Sequence, residues 1–314
     1  MSQHVIVGAG AIGSATARLL ADRGEQVVVV TRSGSGPDIA GVRLVRCDAT
    51  DTAALTDVSR GAVALYNCAA PAYHRWASDW PPLAAALLDT AQRTGAVLAT
   101  ASNLYGYGAV SAPMTESTPL QPSGPKGHVR AQMWTEALAG HQAGRVRATE
   151  VRASDYIGPG AQSHLGDRVI PRLLAGKDVQ VLPSADALHS WTHVEDVARL
   201  LVAVATDERA WGRPWHVPTN APRTQRDAVA DLALVAGVDQ VKVSEVPALL
   251  LRVMALFSRP VRELPEIAYQ LKRPFIIDSS AAHHTFGLQP TPWLEVLSAT
   301  IDHYRSIQRP AVHA

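Results

Sequence analysis

The sequence predicts an α/β chain in which a doubly wound parallel sheet is followed by a smaller C-terminal domain. Three observations carry this. Short apolar runs alternate with helical segments over the first 100 residues, most of the runs are continuously apolar, and a glycine-rich turn separates the first run from the first helix. Strands are expected at His4–Val7, at Gln26–Thr31 with its four successive valines, at Val42–Arg46, Ala62–Asn67 and Ala96–Thr100, and at Val146–Arg152. Helices are expected at Ala11–Arg23, Thr52–Val58, Leu83–Arg93 and His128–Gln142. Strands without a polar face are covered on both sides, as in parallel sheets. Right-handed crossovers then put helices on both faces.

Beyond Arg152 glycine and proline become denser, as at Gly158-Pro159-Gly160, Pro171, Pro183, Pro214 and Pro218. Residues 1–155 therefore read as one domain, to which part of 190–220 returns, and 156–314 mostly as a second, ending in a helix over Trp293–Ser306. The segment Leu249–Arg262 reads as an amphipathic helix packing on the smaller domain or on a partner chain, with the core the expected use. Asp89, Glu195 and Asp196 read as helix-terminal or surface carboxylates.

With 314 residues, 47% hydrophobic and 18% charged, the chain is an ordinary globular protein. Its net charge of +1 gives no basic footprint for nucleic acid. Cys47 and Cys68 close apolar runs, so both are expected to be buried and unpaired. The start lacks the charged and apolar regions of a signal peptide, and Val246–Phe257 is too short to span a bilayer. A cytoplasmic protein with no membrane or nucleic-acid partner is expected. His189 and His193, and His283 and His284, lack a companion at zinc-ligand spacing, so no metal site is expected. Of 29 basic residues only Lys126, Lys177, Lys242 and Lys272 are lysines, which narrows any chemistry that needs one.

Gly8-Ala9-Gly10-Ala11-Ile12-Gly13 is G-x-G-x-x-G between a strand and a helix. Gly8 makes the turn, Gly10 lets backbone approach a pyrophosphate, and Gly13 lets helix and strand pack closely, which makes the sheet Rossmann-type. Ala11 and Ile12 open the helix, whose free N–H groups face the phosphates. The second strand runs into Thr31-Arg32-Ser33 with no carboxylate before Asp38. A carboxylate there would take the ribose hydroxyl of NAD. A guanidinium flanked by hydroxyls suits the 2′-phosphate of NADP(H), the expected cofactor.

Several blocks resemble the extended short-chain dehydrogenase/reductase family, in its epimerase/dehydratase-like branch. They are Cys47-Asp48-Ala49-Thr50-Asp51, Asn67-Cys68-Ala69-Ala70, Leu104-Tyr105-Gly106, Arg152-Ala153-Ser154-Asp155-Tyr156-Ile157-Gly158-Pro159-Gly160 and Trp191-Thr192-His193-Val194-Glu195-Asp196. The resemblance implies that Asp48 and Ala49 meet adenine, and that Cys68, Ala69, Ala70 and Ser154 border the cofactor.

The departures bear on chemistry. Val7 replaces the first glycine of the family's G-x-x-G-x-x-G, and no tyrosine is followed four places later by lysine. Alignment through Glu116–Pro125 puts Lys126 in the tyrosine slot and Arg130 in the lysine slot. A two-residue slip would put His128 and Gln132 there. The family's serine or threonine falls on Ala101, with Thr100 and Ser102 beside it.

Carbonyl reduction needs a hydride, donors to the developing alkoxide and a proton. Ser102, Thr100 or the Lys126 ammonium could donate to the oxygen, Arg130 could hold ribose hydroxyls, and Lys126 could supply a proton if burial and Arg130 lowered its pKa. A substrate with a hydroxyl beside its ketone could instead polarise its own carbonyl. Tyr73, Trp76, Tyr105, Tyr107, Tyr156 and Trp191 fall where loops should cover the nicotinamide and are expected to line a planar substrate. The chain thus reads as an NADPH-dependent ketoreductase for a bulky, aromatic small-molecule ketone. A nucleotide-sugar epimerase or dehydratase, and a non-catalytic NADP-binding protein, are the alternatives.

Overall fold

A computed structural model describes residues 1–239 and 241–308. Strands β1 (Gln3–Val7), β2 (Gln26–Thr31), β3 (Val42–Arg46), β4 (Ala62–Asn67), β5 (Val97–Asn103) and β6 (Ala148–Ala153) are followed by the shorter β7 (Asp155–Ile157), β8 (Val179–Val181), β9 (Trp191–His193) and β10 (Pro214–His216). The central sheet is parallel and ordered β10-β6-β5-β4-β1-β2-β3. The order reverses between β1 and β4, and in such sheets ligands bind beyond the strand C-termini at that point.

Helices α1 (Ala11–Asp22), α2 (Thr52–Val58), α3 (Trp76–Thr94) and α4 (Pro125–Gln142) connect the first six strands. After α5 (Ile170–Leu174), helix α6 (Val194–Thr206) packs against α1 and leads to β10. Strand alternation sorts the core into two layers. Ile6, Val27, Val29, Tyr66 and Val151 meet Leu200 and Leu201 of α6 on one face. Val5, Val28 and Leu65 meet Trp80 and Leu87 of α3 on the other.

Later come α7 (Gln225–Ala236), β11 (Val243–Glu245) paired with β8, the short α8 (Ala248–Phe257), α9 (Arg259–Arg262), α10 (Leu264–Ile267) and α11 (Tyr269–Lys272), then α12 (Ser280–Phe286) and α13 (Trp293–Gln308). Leu165, Leu173, Leu232, Trp293, Leu297 and Ile301 form a separate core there. Both cysteines are buried and free. No described helix is long and apolar enough to cross a membrane.

Three sequence expectations are corrected. Helix α3 begins at Trp76, not Leu83, and carries Pro81 and Pro82 inside it. The turn the prolines cannot bond is braced by side chains: the Trp76 indole N–H donates to the Pro71 carbonyl, and Arg75 grips Asp79. Helix α8 does not bury its apolar side chains, since Leu249 and Phe257 are 73% and 85% exposed. Asp196 is buried, accepting from Thr291 N–H at 2.8 Å and Thr291 Oγ1 at 2.6 Å while pairing with Arg199. Its carboxylate ties the first turn of α6 to the entry of α13.

Removing that carboxylate orphans the Thr291 backbone donor and takes the ionic partner from Arg199, which keeps its bond to the Gln289 carbonyl. Asp196→Ala is expected to cost about 2–4 kcal/mol in urea unfolding, and Asp196→Asn, which keeps an acceptor, less.

Candidate active site

The glycine turn after β1 is built around close backbone contacts. Gly8 has φ +104°, and a Cβ there would lie 2.5 Å from the Cys68 carbonyl oxygen. A Cβ on Gly13 would lie 2.0 Å from the Gly8 carbonyl oxygen, whereas one on Gly10 would meet nothing within 4 Å. Gly8 and Gly13 are therefore packing requirements. Gly10 leaves open space at the start of α1, where Ala11 and Ile12 present the helix N-terminus. These residues fit a dinucleotide pyrophosphate.

At the end of β2, Arg32 is exposed. The Thr31 hydroxyl donates to the Ser35 carbonyl and Ser33 Oγ bonds Ser35 Oγ, so both hydroxyls hold the turn that displays Arg32. Asp48, whose carboxylate takes two hydrogen bonds from Thr50, is held below the usual carboxylate range by those bonds and by Arg32. Ala49 and Cys68 are buried. Burial pushes the Cys68 thiol up to about 12, which keeps it neutral beside the loop. Ala69 N–H donates to Asn67 Oδ1, and Ala70 follows it along the loop.

Beyond β5 the aromatic residues form a wall. Tyr105 stacks on Trp76 with centroids 5.9 Å apart, and Tyr73 meets Trp76 edge-on at 5.1 Å. Lys126 and Arg130, one turn apart on α4, lie against this wall. Lys126 Nζ sits 4.5 Å from the Tyr73 ring centre, and the Arg130 guanidinium lies 4.7 Å from Trp76 and 4.2 Å from Trp80.

Lys126 is 4% exposed and pairs with Glu263 and Glu266, the latter at 2.7 Å; its backbone N–H also donates to Glu266. Burial pulls the ammonium pKa down, but the two carboxylates outweigh it and hold it raised. The expectation of a lysine acid is corrected: this ammonium keeps its proton. Strand alternation settles the β5 question, because Ala101 packs into the α6 layer and Ser102 and Thr100 face the other way. Thr100 borders a small cavity with Asn67 and Glu150, whereas Ser102 is 2% exposed with its Oγ unpartnered.

Two of the expected substrate residues are committed elsewhere. Tyr107 accepts from Arg152 at 2.7 Å and donates to His216 Nε2 at 2.8 Å, and Arg152 is paired with Glu150. Trp191 is 2% exposed, with its indole N–H donating to the Arg223 carbonyl. Both are packing residues. Tyr156 is half-buried, its hydroxyl donating to the Ser102 carbonyl over 3.4 Å, and Ser154 Oγ beside it is buried and unpartnered.

Asp155 was not singled out by its sequence. Its Oδ2 lies 3.0 Å from His189 Nε2 and 3.7 Å from His164 Nε2. Burial would raise its pKa, but the two histidines hold it at about 2. The same carboxylate raises the hydroxyls of Tyr73, Tyr105, Tyr156 and Tyr269, so it faces the space they share. Glu263 and Glu266 were also missed, since they lie 137 and 140 residues from Lys126.

The profile of the NAD dependent epimerase/dehydratase family matches residues 4–217. The chain belongs to that family. Among solved structures it is similar to UDP-glucose 4-epimerase from Thermotoga maritima, with TM-score 0.81 and 18% identity over 98% of this chain and all (100%) of that one. It is also similar to dTDP-glucose 4,6-dehydratase from Bacillus anthracis, at 0.79 and 18% over 98% of each chain. The dTDP-glucose 4,6-dehydratase of Streptomyces venezuelae gives 0.76 and 22% over 97% of each. A search of curated sequences returned no match. Family membership makes this an oxidoreductase-class enzyme with a nicotinamide dinucleotide cofactor.

Within this epimerase/dehydratase-type fold, Asp155 gives a pH-dependent test. A carboxyl lowered from 3.8 to about 2 stabilises the fold above pH 3.8, and that contribution disappears as pH falls through 2. Asp155→Asn is expected to lose about 2 kcal/mol in urea unfolding at pH 7, with the difference from wild type shrinking below pH 4.

Proposed function

We propose that the chain is an NADP(H)-dependent ketoreductase acting on a bulky, aromatic polyketide-type ketone. The observation that carries this reading is the state of the α4 pair. The tyrosine slot holds an ammonium fixed by two carboxylates, and the lysine slot holds a guanidinium between two indoles. Neither group is a base for an alcohol proton. Epimerisation and dehydration of nucleotide sugars begin by oxidising the sugar and need such a base. Reduction needs only a hydride, which bound NADPH supplies, and a proton.

Two further features support the reading. Tyr73, Trp76 and Tyr105 offer flat apolar surface to a planar ligand. Asp155, Glu263 and Glu266 bring negative charge to the same region, which disfavours the diphosphate of a nucleotide sugar. In its missing tyrosine–lysine pair the chain resembles the atypical ketoreductase that acts on the angucyclinone of simocyclinone, and that resemblance supports a place in antibiotic biosynthesis. Family membership supports the nucleotide-sugar alternative, which requires NAD⁺ that stays bound through purification.

The reading is tested by following NADPH absorbance against a panel of aromatic ketones and nucleotide sugars. Ketone-dependent loss supports it; conversion of a nucleotide sugar with retained NAD⁺, or no turnover by a protein that binds NADPH, refutes it. For the cofactor, Arg32→Ala is expected to raise KM for NADPH by about 10- to 100-fold and leave KM for NADH unchanged, the loss of a charge-assisted bond to phosphate. Equal effects on both cofactors would point to a structural role for Arg32.

A further inference from the structure

Where β5 and β6 end, buried donors are left without acceptors. Ser102 Oγ, Ser154 Oγ and the Nε and Nη1 atoms of Arg130 have no hydrogen-bond partner among the described residues, although the three residues are only 2%, 4% and 8% exposed. Buried polar atoms are nearly always paired, and a cluster that is not marks a place for a ligand atom. Tyr156 touches Ser102 and stands next but one to Ser154 in sequence, while Ser102 and Arg130 line one small cavity. The Tyr156 hydroxyl reaches the Ser102 carbonyl only over a long 3.4 Å bond. Among charged groups, Arg130 acts most strongly on Tyr156, and Tyr156 most strongly on Arg130.

We propose that Tyr156 is the proton donor of the reduction, with Ser102 and Arg130 donating to the carbonyl oxygen that it protonates. The family's acid has in effect moved from α4 to β7. This rests on the ketoreductase reading. As hydride reaches the carbonyl carbon, the C=O electron pair moves to oxygen and the O–H bond of Tyr156 passes its proton to it. The ketone is reduced to the alcohol and NADPH is oxidised to NADP⁺. The tyrosinate left behind is balanced by Arg130 and regains a proton from solvent.

The order of acidities agrees. Ser102 is an aliphatic hydroxyl, no stronger an acid than the alcohol being made, whereas a phenol is stronger. Burial pushes the Tyr156 hydroxyl up to about 12 against the pull of Arg130, so it is protonated at neutral pH. The other ionisable groups that act on it are Cys68 and Asp155, the latter paired with His164 and His189, while Tyr105 acts on Arg130.

The test uses 1-tetralone, an aromatic ketone with no hydroxyl of its own to polarise the carbonyl. Tyr156→Phe is expected to lower kcat by about 100-fold or more while NADPH binding and the melting temperature stay near wild type. A second readout needs no turnover: p-nitrophenolate, whose oxyanion stands in for the alkoxide, is titrated into the cofactor-free protein by tryptophan fluorescence. Tyr156→Phe and Ser102→Ala are each expected to weaken it by about tenfold. Unchanged kcat in Tyr156→Phe, or unchanged phenolate affinity in both variants, overturns the proposal. If wild type reduces no ketone, the reductase reading fails, and the phenolate titration still decides whether these residues form an oxyanion site.

Discussion

An ammonium cannot be buried alone, and the arrangement of the cleft depends on how Lys126 meets that requirement. Two carboxylates arrive from short helices near the other end of the chain, and one of them also takes the Lys126 backbone N–H. A carboxylate at the first turn of α4 suits the dipole of that helix as well as the side-chain charge. The same contact lays Lys126 across the Tyr73 ring and fixes where residues 263–266 cross the site. Helix start, aromatic wall and acidic rim are therefore set by one ion cluster. Breaking it leaves either a buried cation or two crowded carboxylates, and both are costly.

The second cation of α4 is handled differently, and the difference creates a binding site. Arg130 lies one turn from Lys126, where like charges repel. It has no carboxylate of its own. The Arg130 guanidinium instead lies over the rings of Trp76 and Trp80, an interaction that stabilises the charge without occupying its N–H groups. A salt bridge would have filled those donors. Indoles leave them free, and that freedom is what allows Arg130 to act on a ligand oxygen.

The parallel sheet was legible because its strands are apolar on both faces and its first turn is spelled in glycine. Gly8 and Gly13 are needed for contacts within that short segment, so local sequence was enough to find them. Ser102 could be narrowed only to a choice with Thr100, since an alignment one residue out of phase falls on Ala101; the strand's alternation puts both on one face, and of the two only Ser102 leaves a buried hydroxyl without a partner among the described residues. Lys126 was found but its chemistry was inverted, because the sign of its pKa shift comes from Glu263 and Glu266, which no spacing rule connects to it. Tyr107 and Trp191 show the same limit. An aromatic near a cleft in sequence becomes packing once a buried Arg152 or the Arg223 carbonyl claims its polar atom. The start of α3 was missed for a related reason: its prolines argue against a helix locally, and tertiary contacts of Trp76 override them.

A family fold that supports reversible sugar oxidation needs one group able to accept a proton in one direction and return it in the other. That requires a pKa near the working pH, which the usual tyrosine reaches with a lysine beside it. The site described here has neither in place. Its best-placed phenol, Tyr156, is pushed up to about 12 by burial, and Arg130 only partly offsets this. Such a group is protonated nearly all the time, so as a donor it is always ready, and as a base it is almost never available. Each unit by which a pKa exceeds the ambient pH costs the base form a factor of about ten in population. On the proposed reading, a phenol with so little of its base form present is poorly suited to the step that opens epimerisation or dehydration, in which an alcohol proton must be taken up as hydride leaves.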